Sequence, residues 1–403
     1  MLALYIDPCL NSFMIRFIYL IKTLLAFSLV LLAVAIRAQE STLPTFAFSI
    51  GSGSNGTGNG QMSLPTGVGV GTNGNLFVVD SGNSRIEEFT SNGVFITKWG
   101  TNGTNTSQFS SPWDLTVDPV GNVYVADRGN NRIQKFASNG TFINAWGTFG
   151  TNPGQFNGPL FVAVAGTNYV YVSDFSNHRI EKFTSSGVYL SSWGSAGSNT
   201  LNFNGPHGLA TDVDGNVYVA DMGNNLVKKF NSNGSFLLDW GGLGTNQGQF
   251  SGVTSVRVDG KGNVWVGDQV NENVSIFSSN GAFLGWFGQS GSGVVNGPVR
   301  MAFNNGFTLL YLINVGFDDI KVYNVAYPAN YNTISARQLS GGYVQISLVG
   351  LAGLRYALDR SYSLSSVSWV PQTTNSAGTD GSVMFTNVPN PSTNNFWRSR
   401  LVQ

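Results

Sequence analysis

The chain has 403 residues, of which 42% are apolar and only 10% charged, with 51 Gly and no formal net charge. A charged fraction far below the usual quarter leaves solubility to Asn, Ser, Thr and Gly, while a sizeable core can still be buried. The even charge balance excludes the basic surface of a nucleic-acid binder.

At the amino terminus, Arg16 and Lys22 precede an apolar run at 23–36 that is followed by small residues. This order predicts a signal peptide over 1–38, cut after Ala38 or Ala35, with Met1 or Met14 as the start. The run falls short of the ~20 residues of a membrane span. The mature chain is therefore expected to have no span, to be secreted or held in the cell envelope, and to be monomeric. Cys9, the one cysteine, lies upstream of the cut. No disulfide, thiol nucleophile or cysteine metal site is expected afterwards. Three basic residues and one acid lie within 1–38, which leaves 18 basic and 20 acidic residues, a net of −2.

From residue 46 onwards the chain repeats. Asp80, Asp127, Asp174, Asp221 and Asp268 follow one another at 47 residues, as do Trp99, Trp146, Trp193, Trp240 and Phe287. Pro65, Pro112, Pro159 and Pro206 keep the same interval, Val253 continues it, and Pro298 arrives early. A period of this size marks a repeat architecture. Each unit reads as four short strands. The first follows the proline, the second alternates (VYVA at 123–126 and 217–220) and ends at the acid, and the third ends at a Phe. An Asn-Gly or Ser-Gly pair then turns a hairpin into the strand that carries the Trp. Four antiparallel strands per unit, repeated radially, make an all-β propeller. Phe89, Phe136, Phe183, Phe230 and Phe277 are placed to pack each blade on the next.

Five blades are regular, and 298–323 reads as a degenerate sixth without a Trp strand of its own. The segment FAFSIG at 46–51 resembles FITKWG at 95–100 and is expected to supply that strand, closing the ring. The propeller is thus expected over 39–328.

The stretch PWDLTVDPVGNVYVADRGNNRIQKFASNGTFINAWG at 112–147 resembles the NHL repeat, and the resemblance covers about 46–325. It implies a six-bladed propeller used mostly as a binding platform. Some relatives are lyases with a His-bound metal, and lactonase-type propellers hold calcium on carboxylates and Asn in the channel. Blade six departs from the motif, with Asn314 and Asp319 where Asp and Arg are expected.

The Asp–Asn–Arg cluster of each blade resembles a reactive site, but blades four and five keep the acid while placing Leu226 and Asn273 at the Arg position. The acid is accordingly read as a turn residue that accepts backbone N–H groups. Asp212 to Asn216 likewise reads as a turn, since it lacks the closing Glu of a calcium loop.

The variable positions lie just after each proline, and two rings of them surround the channel mouth. They contain Trp113, Asp114, Phe161, His207 and Arg300, which either contact a ligand there or plug the channel. As ligand contacts they suit a small molecule, a glycan or a protein segment. His178 and His207 are the only histidines, so a three-His zinc site is excluded. Asp114 is the one acid in the rings, and no nucleophile elbow or phosphate loop occurs. No metal, cofactor or catalytic residue is assigned.

Short alternating strands over 331–403 predict a small β-sandwich. LRYALDRSYSLSSVSWVPQ at 354–372 resembles fibronectin-III-like modules, which implies an anchoring or contact role or a folding cap. The whole reads as an exported binding or scaffold protein, with a channel-centred lactonase or lyase as the alternative.

Overall fold

The computed structural model describes residues 43–51, 55–288, 294–295, 297–314 and 318–325, and six strands between 334 and 402. The signal-peptide reading of 1–38 lies outside the described residues.

Six four-stranded sheets form the six-bladed β-propeller that the period predicts. Blade one consists of Pro65–Val70, Leu76–Asp80, Arg85–Phe89 and Phe95–Trp99, paired antiparallel in that order. The next four blades repeat this order from Asp114–Val117, Pro159–Ala165, Pro206–Thr211 and Val253–Val258. In the sixth sheet Pro298–Phe303, Leu309–Asn314 and Asp319–Asn324 are joined by Thr45–Ile50, which runs antiparallel to Asp319–Asn324. The six first strands neighbour one another in sequence order, and those of blades six and one also adjoin, so the ring is closed around an axis.

A strand buried on one face would alternate, but the second strands do not. Val123–Asp127 is buried at every residue, and so are Leu76–Asp80, Val217–Asp221 and Val264–Asp268. Each sheet is covered by a neighbouring blade on both faces, which only a ring provides. The repeated aromatics form those contacts. Trp99 meets Phe136 at 6.2 Å between ring centroids, Trp146 meets Phe183 at 5.9 Å, and Trp193 and Trp240 meet Phe230 and Phe277 at 5.8 Å. Phe287 meets Tyr323 of blade six at 4.9 Å. At the junction of blades six and one, Ile50 takes the Trp position and packs with Met62, Phe89 and Tyr311.

The hairpin glycine is fixed by the same contact. Gly187 has φ +86°, and a Cβ there would lie 2.6 Å from the Trp146 indole of the preceding blade. Gly93 stands in this position against Ile50, where the Cβ would lie 2.9 Å from the side chain. The Asn-Gly signal therefore records an inter-blade contact as well as a turn.

Towards the carboxyl terminus, Ile334–Gln338, Tyr343–Val349 and Ser382–Pro389 pair as one three-stranded sheet, and Val370–Ser376, Arg355–Ser361 and Phe396–Val402 as another.

Gly187→Ala should destabilise the protein by about 1–3 kcal/mol beyond Gly74→Ala, because the second site has a similar φ of +83° but open space around it. Chemical denaturation of the two variants checks this. Equal losses would mean that backbone strain alone selects the glycine.

Candidate functional site

The repeated acid is a clamp on the chain that enters each blade. In blade two, Asp127 is fully buried and its Oδ1 accepts the Ser110 N–H at 2.8 Å, from 17 residues upstream. Its Oδ2 accepts Asn130 Nδ2 at 2.9 Å and Arg132 Nε at 2.7 Å. The Arg132 guanidinium then donates to the carbonyls of Thr104, Asn105 and Gln108 at 2.8–2.9 Å. Blades one and three repeat the arrangement through Asp80 and Arg85 and through Asp174 and Arg179.

Blade four corrects the premise that its acid has no cation. Leu226 does occupy the Arg position, but Lys228, two residues on, reaches Asp221 at 2.9 Å and donates to the Asn199 carbonyl. Only blade five behaves as the turn reading expects. There Asp268 Oδ1 accepts the Val270 and Asn271 N–H groups at 3.0 and 2.9 Å, while Oδ2 keeps the upstream Ser251 N–H. The cluster is structural, and its main hold is on the loop between blades.

Glu87 and Glu181 adjoin this clamp. Each shares its Arg with the blade's Asp, Arg85 at 2.8 Å and Arg179 at 2.6 Å, so two buried carboxyls compete for one cation. Burial raises both glutamates to about 7, against the pull of the arginine and with a smaller push from the neighbouring aspartate.

At the opposite ends of the first strands, Asp118, Asp212 and Asp259 hold the turns into the second strands. Asp212 Oδ1 accepts the Asp214 and Asn216 N–H groups, and Oδ2 accepts Asn216 Nδ2 at 2.8 Å and the Tyr218 hydroxyl at 3.0 Å. Asp118 and Asp259 make the same set, the latter with Trp265 Nε1 in place of the tyrosine. The turn reading of 212–216 holds, and its carboxylate is fully engaged.

The structure brings together the mouth residues named from sequence. Ladder irregularities just after Pro65, Pro159, Pro206, Val253 and Pro298 break the pairing there, as bulges do when they re-aim side chains. Arg300 Nε lies 3.0 Å from Asp114 Oδ1 with both side chains fully buried, and its guanidinium carbon lies 3.1 Å over the Phe161 ring. Asp114 Oδ2 also accepts the Val162 N–H at 3.2 Å. His207 packs on Phe161 at 4.9 Å and on Trp113 at 6.4 Å, and its Nδ1 lies 2.7 Å from the Thr254 carbonyl oxygen. Burial, then the Arg300 charge, lowers His207 to about 3, so it is neutral across the physiological range. Burial also lowers Arg300 to about 9, against the pull of Asp114. Asp114, Phe161, His207 and Arg300 are buried and fill the channel, while Trp113 keeps part of its surface exposed.

Sequence reasoning missed the residues that complete this end. The position after each repeated acid varies as Ser81, Arg128, Phe175, Met222 and Gln269. Arg128 stacks on Trp113 at 5.1 Å, and Phe175 meets His207 at 6.1 Å. That variation was the signal available.

Open space lies at the other end of the axis. A funnel of ≈ 750 Å³ is bordered by the turns between first and second strands, with Thr72, Asp214, Tyr169 and Asn305 among its walls. It shares Val70, Val117, Val258, Phe303 and Phe307 with a narrower cavity of ≈ 190 Å³ that reaches Arg257. None of the five mouth residues borders either cavity. Among the described residues, no three His, Cys, Asp or Glu side chains converge in a set fit to hold a metal ion.

Residues 62–89, 109–136, 156–183 and 203–230 match the NHL repeat. The chain carries NHL repeats. Four of the six blades match, and the unmatched two are those with Asn273 and with Asn314 and Asp319 in the motif. No curated protein matches the chain. Similar solved structures include a Bacteroides thetaiotaomicron protein of unknown function, at 17% identity and TM-score 0.54 over 70% of this chain and 76% of that one. A Xanthomonas campestris gluconolactonase is similar at 14% identity and TM-score 0.52, over 66% of this chain and 87% of that one. A Staphylococcus aureus virginiamycin B lyase reaches TM-score 0.49 at 14% identity, over 65% of this chain and 80% of that one. For the first two, at these identities, the likeness is one of fold.

Arg300→Met should cost about 3–5 kcal/mol by leaving Asp114 buried without its cation, and Arg300→Met/Asp114→Leu should recover most of that loss. Denaturant melts of the single and double variants measure both. A silent single variant would show that the plug is dispensable, as expected if Arg300 lies outside the packing pattern.

The raised glutamates also set a pH dependence. Each carboxyl binds its proton more tightly folded than unfolded, where 4.5 is the ordinary value. Between that value and about 7 the folded state holds more protons. Stability contributed at low pH is therefore lost as pH rises through that window, and levels off above it. Glu87→Gln/Glu181→Gln should make the melting temperature less sensitive to pH from 5 to 8, by about half or more of the parent's decline. Gln134 already occupies the equivalent place in blade two and donates to Asp127 at 3.0 Å. An unchanged profile would place the titration elsewhere.

Proposed function

We propose that the protein is an exported propeller that holds a small molecule on its axis, entering from the open funnel, without converting it chemically. The observation that carries this reading is the funnel itself. At ≈ 750 Å³ it falls within the range of ligand pockets, and its wall mixes aromatic, amide and hydroxyl groups. The Asp118, Asp212 and Asp259 carboxylates beside it are already engaged in their turns, which supports recognition rather than acid–base work.

In this reading Trp113, Asp114, Phe161, His207 and Arg300 form the closed floor of the channel and are not direct contacts. The strand Thr45–Ile50 fastens the ring, and 331–403 is a fibronectin-III-like sandwich that anchors the protein or contacts a partner. Export rests on the charged and apolar pattern of 1–38.

A channel-centred lactonase is the second reading, and the gluconolactonase of similar fold favours it. Asp114 would be its carboxylate. Against it stand the Arg300 side chain beside that carboxylate and the His207 ring, which burial keeps unprotonated.

Gluconolactone hydrolysis followed by pH-stat, with and without added calcium, separates the two. The mature protein is expected to show only the spontaneous rate. A calcium-dependent rate that disappears in Asp114→Asn would establish the enzyme and end the binding-only reading.

A further inference from the structure

Among the described residues, the first strands contribute two guanidinium groups and one carboxylate to the channel. Arg300 and Asp114 neutralise each other at 3.0 Å. Arg257 is two residues further along the first strand of blade five, where the equivalent positions are Gly69, Thr116, Ala163, Ala210 and Ala302. It is the one long side chain in a ring of small ones, and it lines the narrow end of the funnel.

Its Nη1 donates to the Leu209 and Val256 carbonyls at 2.8 and 3.0 Å. These two bonds hold the guanidinium in place and use one of its three nitrogens. Among the described residues no carboxylate lies within ion-pair distance of Arg257. The side chain is partly exposed, unlike Arg300. Burial pulls its pKa down and the Asp114 charge acts against this.

We propose that Arg257 is the anchor for the carboxylate of a small monoanionic ligand whose apolar body lies in the neck of the funnel. A guanidinium presents its donors in a planar fork that matches the two oxygens of a carboxylate. Val70, Leu115, Val117, Phe303 and Phe307 supply an apolar wall around it. The wider mouth has acidic turns at Asp118, Asp212, Asp214 and Asp259, so a second negative charge is disfavoured. One charge at the tip and an apolar remainder fit this gradient. A phosphate dianion or a charged glycan does not.

The inference rests on the funnel being the binding site, and the test separates the two claims. Hydrocinnamate, its neutral amide hydrocinnamide and the dianion phenylsuccinate are titrated into the full mature protein by calorimetry. The acid should bind at least about tenfold more tightly than either control, as expected for a charge-assisted pair. Arg257→Met should bind acid and amide equally, and Thr116→Phe, which fills the neck and leaves Arg257 in place, should bind neither.

Equal affinity for acid and amide in the parent, with both lost in Thr116→Phe, overturns the Arg257 assignment and leaves the funnel site standing. Binding untouched by Thr116→Phe overturns the funnel site as well. Failure of the acid to bind the parent overturns the assignment directly. Should Arg257→Met not fold, the acid–amide ratio in the parent and its loss in Thr116→Phe still decide.

Discussion

In five of the six blades a buried carboxylate at the end of the second strand ties the blade to the chain that enters it. Hydrogen bonds within a four-stranded sheet are local and define a blade, but they do not orient one blade against another. The carboxylate of Asp127 does so, accepting the N–H of Ser110 before the first strand and holding a cation that gathers three carbonyls of the same loop. Without that cation the buried charge would be costly, and without the carboxylate the loop would leave polar backbone groups unsatisfied. The aromatic contacts between Trp and Phe then complete the sides of blades whose relative placement is already set.

The blade count and the inter-blade packing were legible because they depend on identity at a fixed period. Trp, Phe and Gly recur at 47 residues, and each performs the same contact at four of the six junctions between blades. The clamp was legible only as structural. Its cation moves from Arg132 to Lys228, and a side chain can reach one carboxylate from two positions on a strand whose residues share a face. Reading the motif position by position therefore found Leu226 and missed the lysine two residues on. The departure in blade five was genuine, and there the carboxylate turns to the N–H groups of its own turn.

The channel was legible in its membership and not in its state. Phe161, His207 and Arg300, which follow ladder irregularities in their first strands, do meet Trp113 and Asp114, whose own strand pairs without one. Whether such a set lines a pocket or fills it depends on side-chain volume summed around the axis, which no single position reveals. Arg300 and Phe161 share one ring with Gly67 and Gly208, where the glycines let neighbouring first strands approach closely, and His207 in the adjoining ring packs on Phe161. The next ring has small residues at five of its six positions, so it leaves space that Arg257 only partly fills.

These two rings give the axis a polarity. At one end a neutral ion pair is sealed under aromatic rings, with its imidazole neutral. Beyond it lies a second guanidinium with no carboxylate of its own, facing an apolar neck and then an acidic rim. A single acid in the channel cannot neutralise both cations, and Asp114 is nearer to Arg300. The residual positive charge is thus concentrated where the cavity begins, in surroundings that screen it poorly. Placing Arg257 on the sealed side would require a second buried carboxylate there. Placing it on the open side leaves water, or an anion small enough to pass the rim, to meet its charge.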